Sequence, residues 1–295
     1  MHSYLRAVGF HQNMRKSVEK EMLTNMMNYL SNLEVAIDLF ENEFVEMTIE
    51  IADGMGVKVC GEYGDDGTFY IDYYFPYFQG SSITEQDSIE IDRHVEHESY
   101  AGICDDTNLG VSLIFYLQNV AEYLNLRKKN PKYNYHLVSL SGLSLEGRII
   151  MPINRDEKKE KKKEQEENEN RKKRNYLIAA AREGDEEAIE SLTLEDIDTY
   201  SMLSRRIIHE DVLSIVESTF IPYGIECDQY SVIGDILDYR YVTNTITDEK
   251  ICILEICCND IYFDVCVNTR DLLGEPAVGR RFKGVVWLQG VLHHK

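Results

Sequence analysis

The sequence predicts an α+β fold in two acidic halves, and three observations carry that reading. Apolar residues alternate at a period of two along most of the chain, which is the mark of half-buried antiparallel strands. Helical spacing is confined to a few stretches. A run from Arg155 to Arg174, RDEKKEKKKEQEENENRKKR, holds no apolar residue at all and divides the 295 residues into an N-terminal and a C-terminal part. Such a run cannot bury a face, so it lies outside any packed core.

The divider fits a flexible linker or a solvated helix, and the helix is favoured because Glu157 and Lys161, Glu167 and Arg171, and Glu169 and Lys173 each set an acid four residues before a base. It is expected to run on through Tyr176, Leu177, Ala180 and Ala181 to a stop at Gly184. This gives an α+β antiparallel-sheet domain at 1–154, a charged helical connector at 155–183, and a helical lead-in with a small β domain at 184–295.

Residues 1–154 and 175–295 each carry a net charge of −12 and the divider +3, within a total of −21. Acidity on both sides works against long-range attraction to phosphate backbones or anionic lipid, so neither nucleic acid nor membrane is the expected partner of the whole chain. A protein is. The longest nearly apolar run, Val111–Leu117, is too short to cross a bilayer, and MHSYLRAVGFHQNMRK has no signal-peptide core. With seven cysteines, mostly at strand positions in place of disulfide or zinc spacings, a cytoplasmic setting is expected and no cofactor.

In chain order, Met14, Val18, Met22 and Met26 predict an amphipathic helix over Gln12–Ser31. Val45, Met47, Ile49 and Ile51 alternate with Glu46, Thr48 and Glu50, which predicts a strand with the acids in water. A hairpin follows around Asp65–Gly67, leading into the aromatic strand FYIDYYFPYF at Phe69–Phe78, read as packing surface. The strand Ser88–Glu98 puts Asp92, His94, Glu96 and Glu98 on one face; the first three are weak metal candidates, since the opposite parity holds Ile89, Ile91 and Val95. Strands at Tyr100–Cys104 and Val111–Leu117, a helix over Asn119–Lys129, and a hairpin of Tyr135–Leu140 with Gly147–Ile153 complete the first half. Gly54, Gly56 and Gly61 do not form a dinucleotide fingerprint, and Ser144 lacks the glycines of a nucleophile elbow.

Past the divider, short helices are expected at Asp185–Leu192 and Thr193–Tyr200, the second capped by Thr193 with Asp196. His209–Phe220 fits either helix or strand. Strands at Tyr230–Thr243, Lys250–Cys258, Ile261–Val267 and Gly284–Val291 form a β-meander that could close into an OB-like partial barrel. The loop Asn268–Lys283 carries the densest basic cluster of this acidic half: Arg280, Arg281 and Lys283, with Trp287 just beyond. Guanidinium groups beside an aromatic suit an anion or single-stranded nucleic acid, while Asp271 and Glu275 are near enough in sequence to pair with the bases instead. These six residues are the candidate ligand-binding set; no catalytic residue is identified.

The stretches MHSYLRAVGF, GVSLIFYLQN (110–119) and GEPAVGRRFKGVVWLQG (274–290) resemble a family from anaerobic Gram-positive bacteria known as a domain of unknown function. The resemblance spans most of the chain and implies a bacterial protein, with no activity or site residue attached. The expected role is a non-catalytic interaction or regulatory protein. The alternatives are a small-molecule or hydrolytic enzyme with its site dispersed over the sheet, and local nucleic-acid or anion binding around Arg280.

Overall fold

A computed structural model describes residues 2–10, 30–38, 40–94, 99–106, 111–152, 173–174, 176–182, 184–207 and 218–294. Within these, four strands form a first sheet in simple antiparallel order: β1 (Leu30–Ile37), β2 (Glu43–Ala52), β3 (Met55–Tyr63) and β4 (Phe69–Phe78). Period-two patterning builds it, with Val45, Met47, Ile49 and Ile51 of β2 all buried. Glu46 departs from expectation. It is only 2% exposed, because it pairs with the buried ammonium of Lys58 on β3 and accepts a hydrogen bond from Ala121 N at 3.2 Å. That amide opens helix α1 (Val120–Lys129), so a carboxylate on the sheet meets the positive end of the helix.

The second sheet is formed by β5 (Ile83–Arg93), β6 (Tyr100–Asp106), β7 (Val111–Leu117), β8 (Tyr135–Ile150), β9 (Thr219–Pro222), β10 (Gln229–Thr243), β11 (Lys250–Cys258), β12 (Ile261–Asn268), β13 (Leu272–Leu273) and β14 (Arg281–His293). Its centre is the antiparallel ladder of β8 with β14, from Leu137↔His293 to Ile150↔Arg281. This ladder crosses the boundary that the sequence draws at the divider, and buried apolar residues from both halves belong to one core. On its outer edge β14 pairs with β10 as far as Trp287 and with β7 from Gln289 onward. On its own outer edge β8 pairs with β5 as far as Ser139 and with β12 from Ser141 onward.

Two rings of strands therefore share the ladder. One runs β8–β5–β6–β7–β14 and the other β14–β10–β11–β12–β8. Each is an antiparallel three-strand meander that starts against its own long strand and ends parallel to the other half's long strand. The equivalence extends to register: Ser141 pairs with Asp264, Gln289 with Tyr116, and both Tyr116 to Asp264 and Ser141 to Gln289 are steps of 148 positions. At that same step HLVSLSGLSL (136–145) lies over GVVWLQGVLH (284–293), keeping Val138/Val286, Leu140/Leu288 and Gly142/Gly290. The two glycines do the same task. A Cβ on Gly142 would meet Val286 Cβ at 3.1 Å, and one on Gly290 would meet Val138 Cγ2 at 3.1 Å and Phe115 Cδ2 at 2.4 Å.

This close crossing corrects the expected hairpin at Tyr135–Leu140 and Gly147–Ile153. The stretch is one 16-residue strand, β8, whose glycines admit neighbouring side chains instead of making a turn. Asp185–Leu192 and Thr193–Tyr200 are likewise one helix, α2 (Glu186–Ile207). Asp185 Oδ1 caps it by accepting from Glu187 N at 3.0 Å and Ala188 N at 3.2 Å, while Thr193 sits mid-helix and donates to Ile189 O at 2.7 Å. Residues 173–174 and 176–182 are helical, and Gly184 stops the turn at φ 90° as expected. The rest of the divider, most of the helix expected over 12–31, and residues 208–217 lie outside the described residues; Leu30 and Ser31 open β1, and Thr219 and Phe220 belong to β9. The meander β10–β11–β12 turns through Asp248, Asn259 and Asp260 at positive φ, as expected for tight connections.

A buried polar network ties the first sheet to the ladder. Ser141 and Gln289 stand opposite each other, and Gln118 Nε2 donates to Phe78 O at 2.7 Å, to Ser141 Oγ at 3.2 Å and to Gln289 Oε1 at 3.0 Å. Gln289 Nε2 donates to Pro76 O at 2.9 Å, and Lys58 Nζ to Gln118 O at 2.9 Å. The end of β4 is thereby held on the centre of the second sheet.

Candidate functional site: an aromatic pocket at a strand fork

Where β14 exchanges β10 for β7, the two neighbours separate and leave an opening beside Trp287. Tyr230 of β10 bridges the gap behind it, its hydroxyl accepting from Ile114 N at 2.8 Å and donating to Ile114 O at 3.1 Å. The opening is a pocket of about 470 Å³, lined by His2, Ser3 and Tyr4 from the N-terminal segment and by His94 and Ser99 from the β5–β6 connection. Tyr116 of β7, then Glu226, Asp228 and Gln229 from the approach to β10, and Trp287 complete the wall. The volume lies in the usual range for small-molecule sites.

Trp287 is the hub. Its ring lies 4.7 Å from His2, 5.3 Å from Tyr4 and 5.0 Å from Tyr116, and His94 stacks on Tyr116 at 6.2 Å with the planes 23° apart. The indole Nε1–H donates to Asp228 Oδ2 at 2.7 Å, and Leu288 N donates to Asp228 O at 2.8 Å, so both ends of this residue are fixed to β14. His2 is positioned by its own backbone N–H, which donates to the Tyr74 hydroxyl at 3.2 Å, and His94 by a backbone bond to Ser99 O at 2.8 Å. Among the described residues, His2 Nδ1 and His94 Nε2 are buried and have no hydrogen-bond partner. Two ring nitrogens in one pocket are thus left unmet, against the general rule that buried polar atoms are satisfied.

Burial sets the charge states. It lowers the His2 pKa to about 4, so that imidazole is neutral at pH 7, and it raises the Asp228 carboxyl, an effect the Trp287 hydrogen bond partly offsets. Burial first and Asp228 second push the Tyr4 phenol up to about 12.

The equivalent fork on β8 is closed. Asp264 stands there at the place of Tyr116 and accepts Ser81 N at 2.7 Å, while Gly80 runs so close that a Cβ would meet Leu140 O at 2.1 Å. Ser139 occupies the place of Trp287.

Of the residues singled out in the sequence, Trp287 and His94 line this pocket, and the others among the described residues are placed elsewhere. Arg281, 3% exposed, donates from Nε at 3.1 Å and Nη2 at 3.0 Å to Met151 O. Arg280 donates to Glu275 O at 2.7 Å, Lys283 is exposed, and Asp271 pairs with Arg6 at 2.6 Å. Asp92 is exposed on β5, Glu96 lies outside the described residues, and among those described no three His, Cys, Asp or Glu side chains gather as a metal site. Of the aromatic strand, Phe75, Tyr77 and Phe78 are buried, while Tyr70 is exposed. Sequence reasoning missed His2, Tyr4, Tyr116 and Asp228; the sole tryptophan was the available clue.

Among the described residues no helix is long and apolar enough to cross a membrane. Neither the curated proteins nor the solved structures contain a significant match. Residues 5–290 match the model for DUF3881, described as "Domain of unknown function, E. rectale Gene description", and the chain belongs to that family.

Proposed function

We propose that this is a non-catalytic binding protein, regulatory in role, whose ligand site is the fork pocket beside Trp287. One observation carries the reading: three aromatic rings and two imidazoles line a cavity at one strand fork, while the pseudo-equivalent fork is filled by its own chain. A ligand there would be held between both halves, and its binding would be felt along the shared ladder by whatever protein docks on the surface. The free cysteines among the described residues suit a cytoplasmic setting. The order β10–β11–β12–β8–β14 supports an OB-like barrel completed by a strand from the other half.

The test is a thermal-shift screen of small molecules on the wild type and on Trp287→Phe. Compounds that stabilise the wild type and lose their effect in the variant support the reading; a screen in which every stabiliser acts equally on both removes it.

A hydrolytic or small-molecule enzyme is the second reading, favoured by a carboxyl raised by burial in the same pocket as two imidazoles, the group types of general acid–base catalysis. Turnover of any compound found in that screen, lost in Asp228→Asn, would place this reading first.

A further inference from the structure

The fork pocket is one-sided in charge. Glu226 and Asp228 line it, and no Lys or Arg does so among the described residues. His2 is held neutral at pH 7 by burial first and by the positive charge of the N-terminal amino group second, so its imidazole adds no countercharge. Asp228 has the Trp287 indole N–H as its side-chain donor, a dipole where a full charge would fit. The rings of Tyr4, Tyr116 and Trp287 line the same space, and aromatic rings attract a desolvated cation. An anion would meet two carboxylates here, and a plain hydrocarbon would leave both without a countercharge.

We propose that the pocket binds an organic cation bearing N–H donors, an alkylammonium or alkylguanidinium group, with its charge at Asp228 and Glu226 and its stem against Trp287. The inference rests on the reading of the fork as a binding site and gives that site its ligand class. Trp287 supplies the flat wall and Asp228 the charge-assisted acceptor, and His2 and His94 complete the lining. Size allows it: a cavity of about 470 Å³ has room for a cation with a short chain or ring and is too small for a folded polymer.

The probes are agmatine, putrescine, tetramethylammonium, indole and inorganic phosphate, with a capped lysine peptide as a further arm, each titrated at pH 7.5 by calorimetry and by Trp287 fluorescence. Agmatine and putrescine bind saturably, tetramethylammonium binds more weakly because it lacks N–H donors, and Asp228→Asn weakens the first two by about tenfold or more. Binding of the peptide in place of the free amines upholds the class and moves its source to a partner's side chain. Binding of indole or phosphate with none of the cations overturns the cation class but leaves the pocket as a site. If Asp228→Asn binds agmatine as tightly as the wild type, the assigned anchor is wrong. No response to any probe, together with a blank small-molecule screen, overturns both the class and the site.

Discussion

Asp228 accepts the Trp287 indole N–H through its carboxylate at 2.7 Å and the Leu288 amide through its own carbonyl at 2.8 Å. This double attachment holds the approach to β10 on β14 at the point where β14 changes neighbours. Replacing Trp287 by Phe keeps a ring in the wall but leaves a partly buried carboxylate short of a donor. The expected loss is about 1–2 kcal/mol of unfolding free energy, measured by urea denaturation. Asp228→Asn, which keeps an acceptor oxygen, costs less, and the reverse ranking would show that the hydrogen bond is not what fixes the fork.

The Glu46–Lys58 pair is buried between the first sheet and the start of α1. Lys58→Met strands the carboxylate in the core and is expected to cost about 3–5 kcal/mol, whereas Glu46→Leu combined with Lys58→Met costs clearly less than that single change. Equilibrium unfolding of the three variants decides it. A single variant no worse than the double would mean that Ala121 N alone satisfies Glu46.

Gly142 and Gly290 are equivalent by the internal two-fold relation yet not equally crowded. A methyl at Gly142 has Val286 Cβ at 3.1 Å as its nearest neighbour, while at Gly290 it falls 2.4 Å from the Phe115 ring. Gly290→Ala is therefore expected to destabilise by about 1–3 kcal/mol through overpacking, and Gly142→Ala by less. Thermal melts of the two variants provide the comparison, and equal losses would show that the Phe115 ring gives way without overpacking.

His2 gives the pH dependence. Its folded pKa of about 4 lies below the ordinary 6.5, so the folded state favours the neutral ring and binds fewer protons than the unfolded chain. Stability from this group is full above pH 6.5 and is lost as pH falls toward 4. Between pH 7.5 and 5.5 the loss is about 1 kcal/mol. His2→Gln, which cannot titrate, should show a correspondingly smaller fall over that interval in urea unfolding; an identical fall in both proteins would assign the acid sensitivity to other groups.

Local patterning disclosed β2, β3, β4 and the β10–β11–β12 meander, because alternation and turn residues are properties of neighbours in sequence. The joining of the halves was not visible in that way. The β8–β14 ladder couples residues such as Ser141 and Gln289 across the whole divider, and only three identities in the ten-residue pair HLVSLSGLSL and GVVWLQGVLH mark the repeat. Gly142 fell within the expected turn because a glycine that admits a neighbour's side chain and one that makes a turn are the same letter. The site was half legible: Trp287 stood out as the sole tryptophan, but its nearness in sequence to Arg281 was misleading, since Arg281 is turned to Met151 while Trp287 faces residues from four remote segments. His94 was read on a solvated strand face, yet it lines the pocket where β5 ends.

The most direct test uses the fact that the chain has one tryptophan. A proton–nitrogen NMR spectrum therefore carries a single indole Nε1–H resonance, and that proton is bonded to Asp228 in the pocket wall. Addition of a ligand that raises the melting temperature is expected to move this resonance saturably, with the same midpoint as the thermal stabilisation. A ligand that stabilises the protein and leaves the resonance where it was binds elsewhere, and would contradict the fork as the site.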